Sequence, residues 1–177
     1  MATIITDLKE SFRRGNIYIQ LIYINVGVFI FTTLTGVILQ LFNRSLGGVF
    51  EWLELPASPP RFIIQPWSVL TYMFMHAGVL HILFNMLWLY WFGALFLNFF
   101  SARHLRGVYI LGGICGGLLY MTAYNIFPYF RPMTEYSFML GASASVLAIV
   151  AGARPHGLPP IGNLTTRYVF SFLEPYA

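Results

Sequence analysis

Three polar residues in apolar surroundings have the types and spacing that could perform chemistry. His81 and Asn85 stand four residues apart in VLHILFNMLWLYWFG, and Ser143 follows Gly141 in LGASASVLAIVAG. Residues four apart lie on one face of a helix, about one turn from each other. An imidazole and an amide stacked in this way could donate hydrogen bonds to an oxyanion. A serine hydroxyl could act as the nucleophile.

The acidic residues exclude several other chemistries. The only aspartate is Asp7, in the polar N-terminal segment, and no long apolar stretch contains Asp or Glu. Paired catalytic carboxylates or a Ser-His-Asp triad therefore cannot be built inside these stretches. The sequence has no H-E-x-x-H zinc motif, and it predicts neither a metal nor a cofactor. A small transporter or a haem-binding helical bundle stays open as a different class of function. Haem would need axial ligands on two facing helices, and a transporter would favour broken, charge-lined spans in an inverted repeat; neither pattern occurs.

The elements that carry these residues are predicted to be membrane helices. Hydrophobic residues make up 58% of the 177 and charged residues only 9%, whereas soluble domains carry about 25% charged residues. The net charge of +4 comes from scattered basic residues without a basic run, which argues against a nucleic-acid partner. The composition predicts an all-α, polytopic transmembrane helical bundle with membrane lipid around it.

Four apolar runs are candidate spans, because a helix of about 20 residues crosses the hydrocarbon core. They are Tyr18 to Phe42, Val79 to Phe99, Gly107 to Phe127 and the shorter Phe138 to Gly152. A long polar loop, Asn43 to Met75, separates the first two runs. The chain divides into a predicted transmembrane domain, residues 1–152, and a proline-rich tail, residues 153–177, that cannot form another span.

Basic residues predict the orientation, since cytoplasmic loops are enriched in Lys and Arg. A cytoplasmic N-terminus places seven basic residues inside and three outside. The seven are Lys9, Arg13, Arg14, Arg103, Arg106, Arg154 and Arg167, and the three are Arg44, Arg61 and Arg131. In this orientation His81, Asn85 and Ser143 share the outer half of the membrane.

Each polar residue also has a structural interpretation when it is taken alone. His81 could meet lipid headgroups, Asn85 could form an interhelical hydrogen bond, and Ser143 could be a small packing residue. Ser145 is a weaker nucleophile candidate on a different helix face. Gly112, Gly113, Gly116 and Gly117 form two overlapping G-x-x-x-G pairs, for which close helix packing is the better interpretation.

Together, these segments resemble the rhomboid family of intramembrane serine proteases. The stretch YMFMHAGVLHILFNMLWLYWFG is similar to the family's second-helix signature, with His76, His81 and Asn85 at matching positions. LGASASVLAIVAG resembles its Gly-x-Ser nucleophile segment, with Ala144 where glycine is commoner, and Trp67 precedes the histidines as in the family. The resemblance covers roughly residues 10 to 152.

The resemblance implies a fold of six helices, of which about four are present here. It also implies cleavage of peptide bonds in or near transmembrane segments of substrate proteins. Ser143 would be the nucleophile, His81, Asn85 and the Ser143 N–H would bind the oxyanion, and His76 would support them. No metal or organic cofactor follows from it.

The family's general base is a histidine on the sixth helix, and the sequence offers no obvious equivalent. His156 follows Ser143 by thirteen residues, about 20 Å along a continuous helix. We therefore expect this chain alone to be inactive. It is interpreted as a piece of a longer or altered reading frame, or alternatively as an inactive rhomboid-like pseudoprotease that binds membrane helices.

Overall fold

The computed structural model describes residues 15–42 and 47–153, together with residues 6, 10, 12 and 13. Residues 15–42 and 47–153 contain seven α-helices: α1 (Ile17–Leu41), α2 (Gly47–Glu51), α3 (Pro59–Ile64), α4 (Ser68–Thr71), α5 (Val79–Leu97), α6 (Ala102–Ile126) and α7 (Ser143–Gly152). Two 3₁₀ turns, Tyr72–Phe74 and Arg131–Met133, and two short strands, β1 (Leu55–Pro56) and β2 (Phe138–Met139), complete the described fold.

Three of the helices, α1, α5 and α6, are long and apolar enough to cross a membrane. They confirm the first three predicted spans to within a few residues. Helix α6 begins at Ala102, five residues before the predicted span, because Arg103, His104 and Arg106 continue the helix beyond the apolar run. Charged residues mark where the hydrocarbon would end, which need not be where a helix ends.

The fourth apolar run is divided between two kinds of structure. Phe138–Met139 form a strand, and only Ser143–Gly152 are helical. Strand β2 pairs antiparallel with β1, with Leu55 opposite Met139 and Pro56 opposite Phe138. This pairing uses backbone groups that a continuous helix would have satisfied internally, so α7 starts five residues later than the apolar run.

The described part of the predicted long loop, residues 47–75, contains three short helices, a 3₁₀ turn and strand β1. Its glutamine, Gln65, is buried and donates through Nε2 to the carbonyls of Glu51 and Glu54, both at 3.1 Å. Thr71 donates to the Leu53 carbonyl at 2.7 Å. These side chains satisfy the backbone of the irregular segment, as buried polar groups require.

Glycines on α6 let α7 approach closely. A side chain at Gly112 would overlap the Cβ of Ala148, and one at Gly116 would overlap the Cβ of Ala144. The neighbouring pair, Gly113 and Gly117, faces Met73, Leu55 and Tyr72, and Gly113 also meets the Ser145 hydroxyl of α7. The predicted close packing is therefore confirmed, and it uses two adjacent faces of α6. Such small-residue contacts are how helices associate in lipid, where no hydrophobic force favours one apolar surface over another.

Helix α1 is joined to the bundle by a buried polar group. Asn25 is fully buried and donates through Nδ2 to the Leu21 carbonyl at 2.8 Å and to the Tyr109 hydroxyl at 3.2 Å. A second contact involves Tyr18, which is also on α1: its side chain packs against Gly93 of α5, where a Cβ would leave it no space. One polar and one steric contact thus position α1 against α5 and α6.

Candidate active site

The histidine pair lies where an extended segment enters α5. After the 3₁₀ turn, Met75 to Gly78 are irregular, and Gly78 precedes the helix with an extended backbone (φ −175°). His81 is therefore in the first turn of α5. The rings of His76 and His81 meet edge to face, with centroids 5.1 Å apart. Both histidines thus lie at the same end of the helix.

The surroundings of His76 keep its imidazole uncharged. Its side chain is 8% exposed, and Nδ1 lies 3.3 Å from the Phe74 carbonyl, which can only accept, so Nδ1 carries the proton. Nε2 is buried with no hydrogen-bond partner in the described residues. Burial lowers the pKa of His76 to about 4, opposed by the Phe74 hydrogen bond and assisted by His81. The ring therefore stays uncharged at neutral pH.

Asn85 lies one helical turn beyond His81. It is buried, and its Nδ2 donates to the His81 carbonyl at 2.9 Å. An amide nitrogen carries two hydrogens, so this bond fixes the side chain and leaves a second N–H to donate. The interhelical role considered above is not observed, because this bond stays within α5.

The residue that joins the two halves of the site is Gly141. Its φ of +118° lies in a region that side chains rarely adopt. A Cβ at this position would be 2.7 Å from Nε2 of His81. The His81 ring therefore occupies the place of the missing side chain. Ser143 is two residues further on, so its Cα is at most about 7 Å from that of Gly141.

Ser143 is the first residue of α7 and is partly exposed. The first N–H groups of a helix have no partner within it, so the Ser143 N–H is available beside the hydroxyl. Ser145, in contrast, is fully buried against Gly113, and its hydroxyl has no partner among the described residues. Of the two serines, Ser143 is the more exposed.

Other histidines are distant or outside the described residues. His104 pairs with Ser101 through a 2.9 Å contact near the opposite end of α6. It is twelve residues from Gly116, about 18 Å along the helix, while Gly116 contacts the α7 residue next to Ser143. His156 and the proline-rich tail from Arg154 onwards lie outside the described residues. The predicted domain boundary at residue 152 therefore stays a prediction.

A cavity of about 280 Å³ adjoins His76 on the side of α1. Residues from four parts of the chain line it: Thr32, Thr33, Gly36, Phe50, Glu54, Met75, His76, Ala77 and Leu140.

Burial, and to a smaller extent Glu51, raises the pKa of Glu54. Within the described part of the chain, no group of three or more His, Cys, Asp or Glu residues could hold a metal ion.

The sequence did not reveal two contributors to the site. Tyr72 accepts the Gly141 N–H through its carbonyl at 2.9 Å, and β1 pairs with the segment before Gly141. Both contacts join residues more than sixty positions apart. A backbone acceptor leaves no mark on residue type, so no sequence signal could have identified Tyr72.

The fold is that of a polytopic helical membrane protein with a serine, two histidines and an asparagine at the starts of two helices. The family model of the Rhomboid domain matches residues 64–154, just over half of the chain. This chain therefore belongs to the rhomboid family and is an integral membrane protein. The comparisons with curated proteins and with solved structures gave no significant match.

Proposed function

We propose that this chain carries the nucleophile and the oxyanion-binding groups of an intramembrane serine endopeptidase. The observation that carries the proposal is the contact between the His81 ring and Gly141, two residues before Ser143. This contact joins the start of α5 to the start of α7. A peptide carbonyl at this junction would lie beside a hydroxyl and several N–H donors.

The reaction would be an acyl transfer to Ser143. Its Oγ would attack the peptide carbonyl as a general base takes the hydroxyl proton, and negative charge would develop on the carbonyl oxygen. The peptide C–N bond would then break, the amine would leave with that proton, and water would hydrolyse the acyl-serine. The Ser143 N–H, His81 and the second N–H of Asn85 are the proposed donors to that oxygen. Removing one such donor typically slows catalysis by about 10²–10³-fold. His76 would act less directly, by packing against His81.

The hydroxyl also needs a general base. Among the described residues, His81 is the histidine beside Ser143, and we assign it to the oxyanion. The base is then proposed to come from a further helix, as in the six-helix fold that the resemblance implies. The proposed substrates are proteins with transmembrane segments. The proposed orientation places the N-terminus in the cytoplasm and the site towards the outer side.

Hydrolysis of a fluorogenic membrane-segment peptide in proteoliposomes tests the proposal. We expect no cleavage by the 177-residue chain and cleavage by a form extended by two helices with a histidine opposite Ser143. Ser143→Ala should abolish that cleavage, and the matched change Ser145→Ala should not. Cleavage that survives Ser143→Ala would refute the assignment. Cleavage by the short chain that requires Ser143 would identify a base within it, with His156 the next residue to change.

The same assay distinguishes the second candidate function. The alternative proposed from the sequence is an inactive rhomboid-like pseudoprotease that binds membrane helices. In that case both forms would bind the peptide, measured by fluorescence anisotropy, and neither would cleave it.

A further inference from the structure

Tyr72 is a buried tyrosine whose hydroxyl binds the main chain of another helix. It is fully buried, and its hydroxyl donates to the Gly113 carbonyl of α6 at 2.6 Å. Gly116 and Gly117 of α6 also lie against the Tyr72 side chain. A Cβ at either glycine would lie 3.5–3.7 Å from Tyr72 atoms, an ordinary van der Waals distance, so the tyrosine packs directly on this part of α6. The tyrosine is therefore fixed on α6 by both packing and a hydrogen bond.

The carbonyl of the same residue accepts two N–H groups. One is the N–H of Met75 at 3.2 Å, which closes the 3₁₀ turn leading to His76. The other is the N–H of Gly141 at 2.9 Å. A carbonyl oxygen has two lone pairs, so both bonds can form together. The histidine segment and the serine segment thus meet at one oxygen atom.

In the described residues, the Tyr72 carbonyl accepts the backbone hydrogen bond nearest to Ser143 among those that hold the preceding segment to another part of the chain. The segment from Ser137 to Met139 is held earlier, because Ala57 donates to the Ser137 carbonyl at 3.0 Å and β1 pairs with β2. Between β2 and the first turn of α7, the Gly141–Tyr72 bond is the backbone contact to another segment that the structure shows. Movement of the Tyr72 carbonyl would therefore move Gly141 and the start of α7.

We propose that Tyr72 is a positioning residue for Ser143: its hydroxyl, bound to Gly113, fixes the carbonyl that holds Gly141 against His81. This inference rests on the proposed role of Ser143 as nucleophile. Tyr72 itself would touch neither the substrate nor the reacting atoms. Its contribution is to keep the serine segment at one distance from the His81–Asn85 pair.

Thiol labelling measures this positioning without any proteolysis. The background variant is Cys115→Ala, and a single cysteine is introduced as Ser143→Cys or, as the matched probe, Ser145→Cys. The purified full chain in detergent is treated with a charged methanethiosulfonate reagent. Tyr72→Phe removes the hydroxyl and keeps the ring, and Tyr109→Phe removes a second buried hydroxyl of the same core, which binds Asn25 and, at 3.5 Å, the Met73 carbonyl.

We expect Tyr72→Phe to raise the labelling rate at position 143 about fivefold, the population change that follows loss of one neutral hydrogen bond. Position 145, which is buried against Gly113, should stay unlabelled, and Tyr109→Phe should leave the rate at position 143 unchanged. An unchanged rate at position 143 in Tyr72→Phe would overturn the proposal. An equal rise at position 145, or the same rise in Tyr109→Phe, would show general loosening and would also overturn it.

The labelling result is independent of the proposed function. A chain that never cleaves a peptide can still show faster labelling at position 143 in Tyr72→Phe. Conversely, an active enzyme whose labelling does not respond to Tyr72→Phe would contradict the positioning role and leave the serine assignment intact.

Discussion

At the scale of single residues, the site depends on a position without a side chain. Gly141 combines a positive φ with a location directly against the His81 ring. Either feature alone would favour glycine, and another residue would both strain the backbone and displace the His81 ring. The backbone at Gly141 thus sets how closely the serine helix approaches the histidine helix.

Gly141→Ala should lower the unfolding temperature in detergent by about 2–12 °C. A strained backbone conformation costs about 1–3 kcal/mol in a residue other than glycine, and 1 kcal/mol shifts Tm by about 2–4 °C in a protein of this size. Gly78→Ala is the control, because Gly78 is extended and has open space at its Cβ position. Equal Tm changes in the two variants would contradict this account.

His76 should make the protein less stable in weak acid. Its folded pKa of about 4 lies below the ordinary value of 6.5, so between these values the unfolded chain binds more protons. The stabilising contribution of neutral His76 is fully present above pH 6.5. It is lost as the pH drops towards 4, which lowers the free energy of unfolding by up to about 3 kcal/mol. Unfolding temperatures measured from pH 7.5 to 4.5 test this.

The control for the acid effect is His76→Gln, which should remove most of the slope. Glu54 lines the same cavity, and its raised pKa acts in the opposite direction, because the folded state then binds the extra proton. The difference between the pH slopes of the variant and the parent chain is the contribution of His76 alone. The same pH slope in both proteins would refute the assignment to His76.

At the scale of elements, α6 is the surface on which the site is assembled. Its two glycine faces hold α7 on one side and the 3₁₀ turn with Tyr72 on the other. The serine helix and the histidine segment are therefore placed relative to one another through a third helix. The α7 contact is a close packing of small residues, and the 3₁₀ turn adds the hydrogen bond from Tyr72 to the Gly113 carbonyl.

Gly112→Ala should destabilise the α6–α7 contact because the new methyl group overlaps the Cβ of Ala148. Overpacking of this kind costs about 1–3 kcal/mol. The compensating change Ala148→Gly should restore at least half of the lost Tm in the double variant, whereas Gly107→Ala, with open space at its Cβ, should have little effect. Additive losses in the double variant would show that the two residues are not in contact.

At the scale of the whole molecule, apolar side chains cover the outer faces of the long helices. Phe31 of α1 and Leu119 of α6 are each 70% exposed, which suits lipid and would be unfavourable in water. The polar residues Asn25 and Asn85 are buried within the described bundle. This inside-out distribution of polarity is expected of a protein that lies in a bilayer.

The orientation can be measured with single cysteines at two loops. In the Cys115→Ala background, Ser101→Cys should be labelled from the cytoplasmic face and Tyr136→Cys from the outer face, as the basic-residue bias predicts. Both positions are exposed in the structure. Sealed vesicles of known orientation and a membrane-impermeant maleimide provide the measurement. Labelling of both cysteines from one face would exclude the proposed topology.

The sequence alone determined the membrane class, the three long helices and the family. Length and polarity decide whether a segment can span a bilayer, and these are properties of consecutive residues. The candidate residues Ser143, His81, Asn85 and His76 were also visible, since an isolated polar group in an apolar segment is conspicuous. Their catalytic roles stay predictions.

The tertiary structure decided how these residues meet. The strand at Phe138, the late start of α7 and the Tyr72–Gly141 bond all depend on backbone groups of segments far apart in the chain. Backbone hydrogen bonds are open to every residue type except proline at the donor, so composition and periodicity carry no record of them. Only the folded chain shows that the Tyr72 carbonyl holds Gly141, in the segment that leads to Ser143.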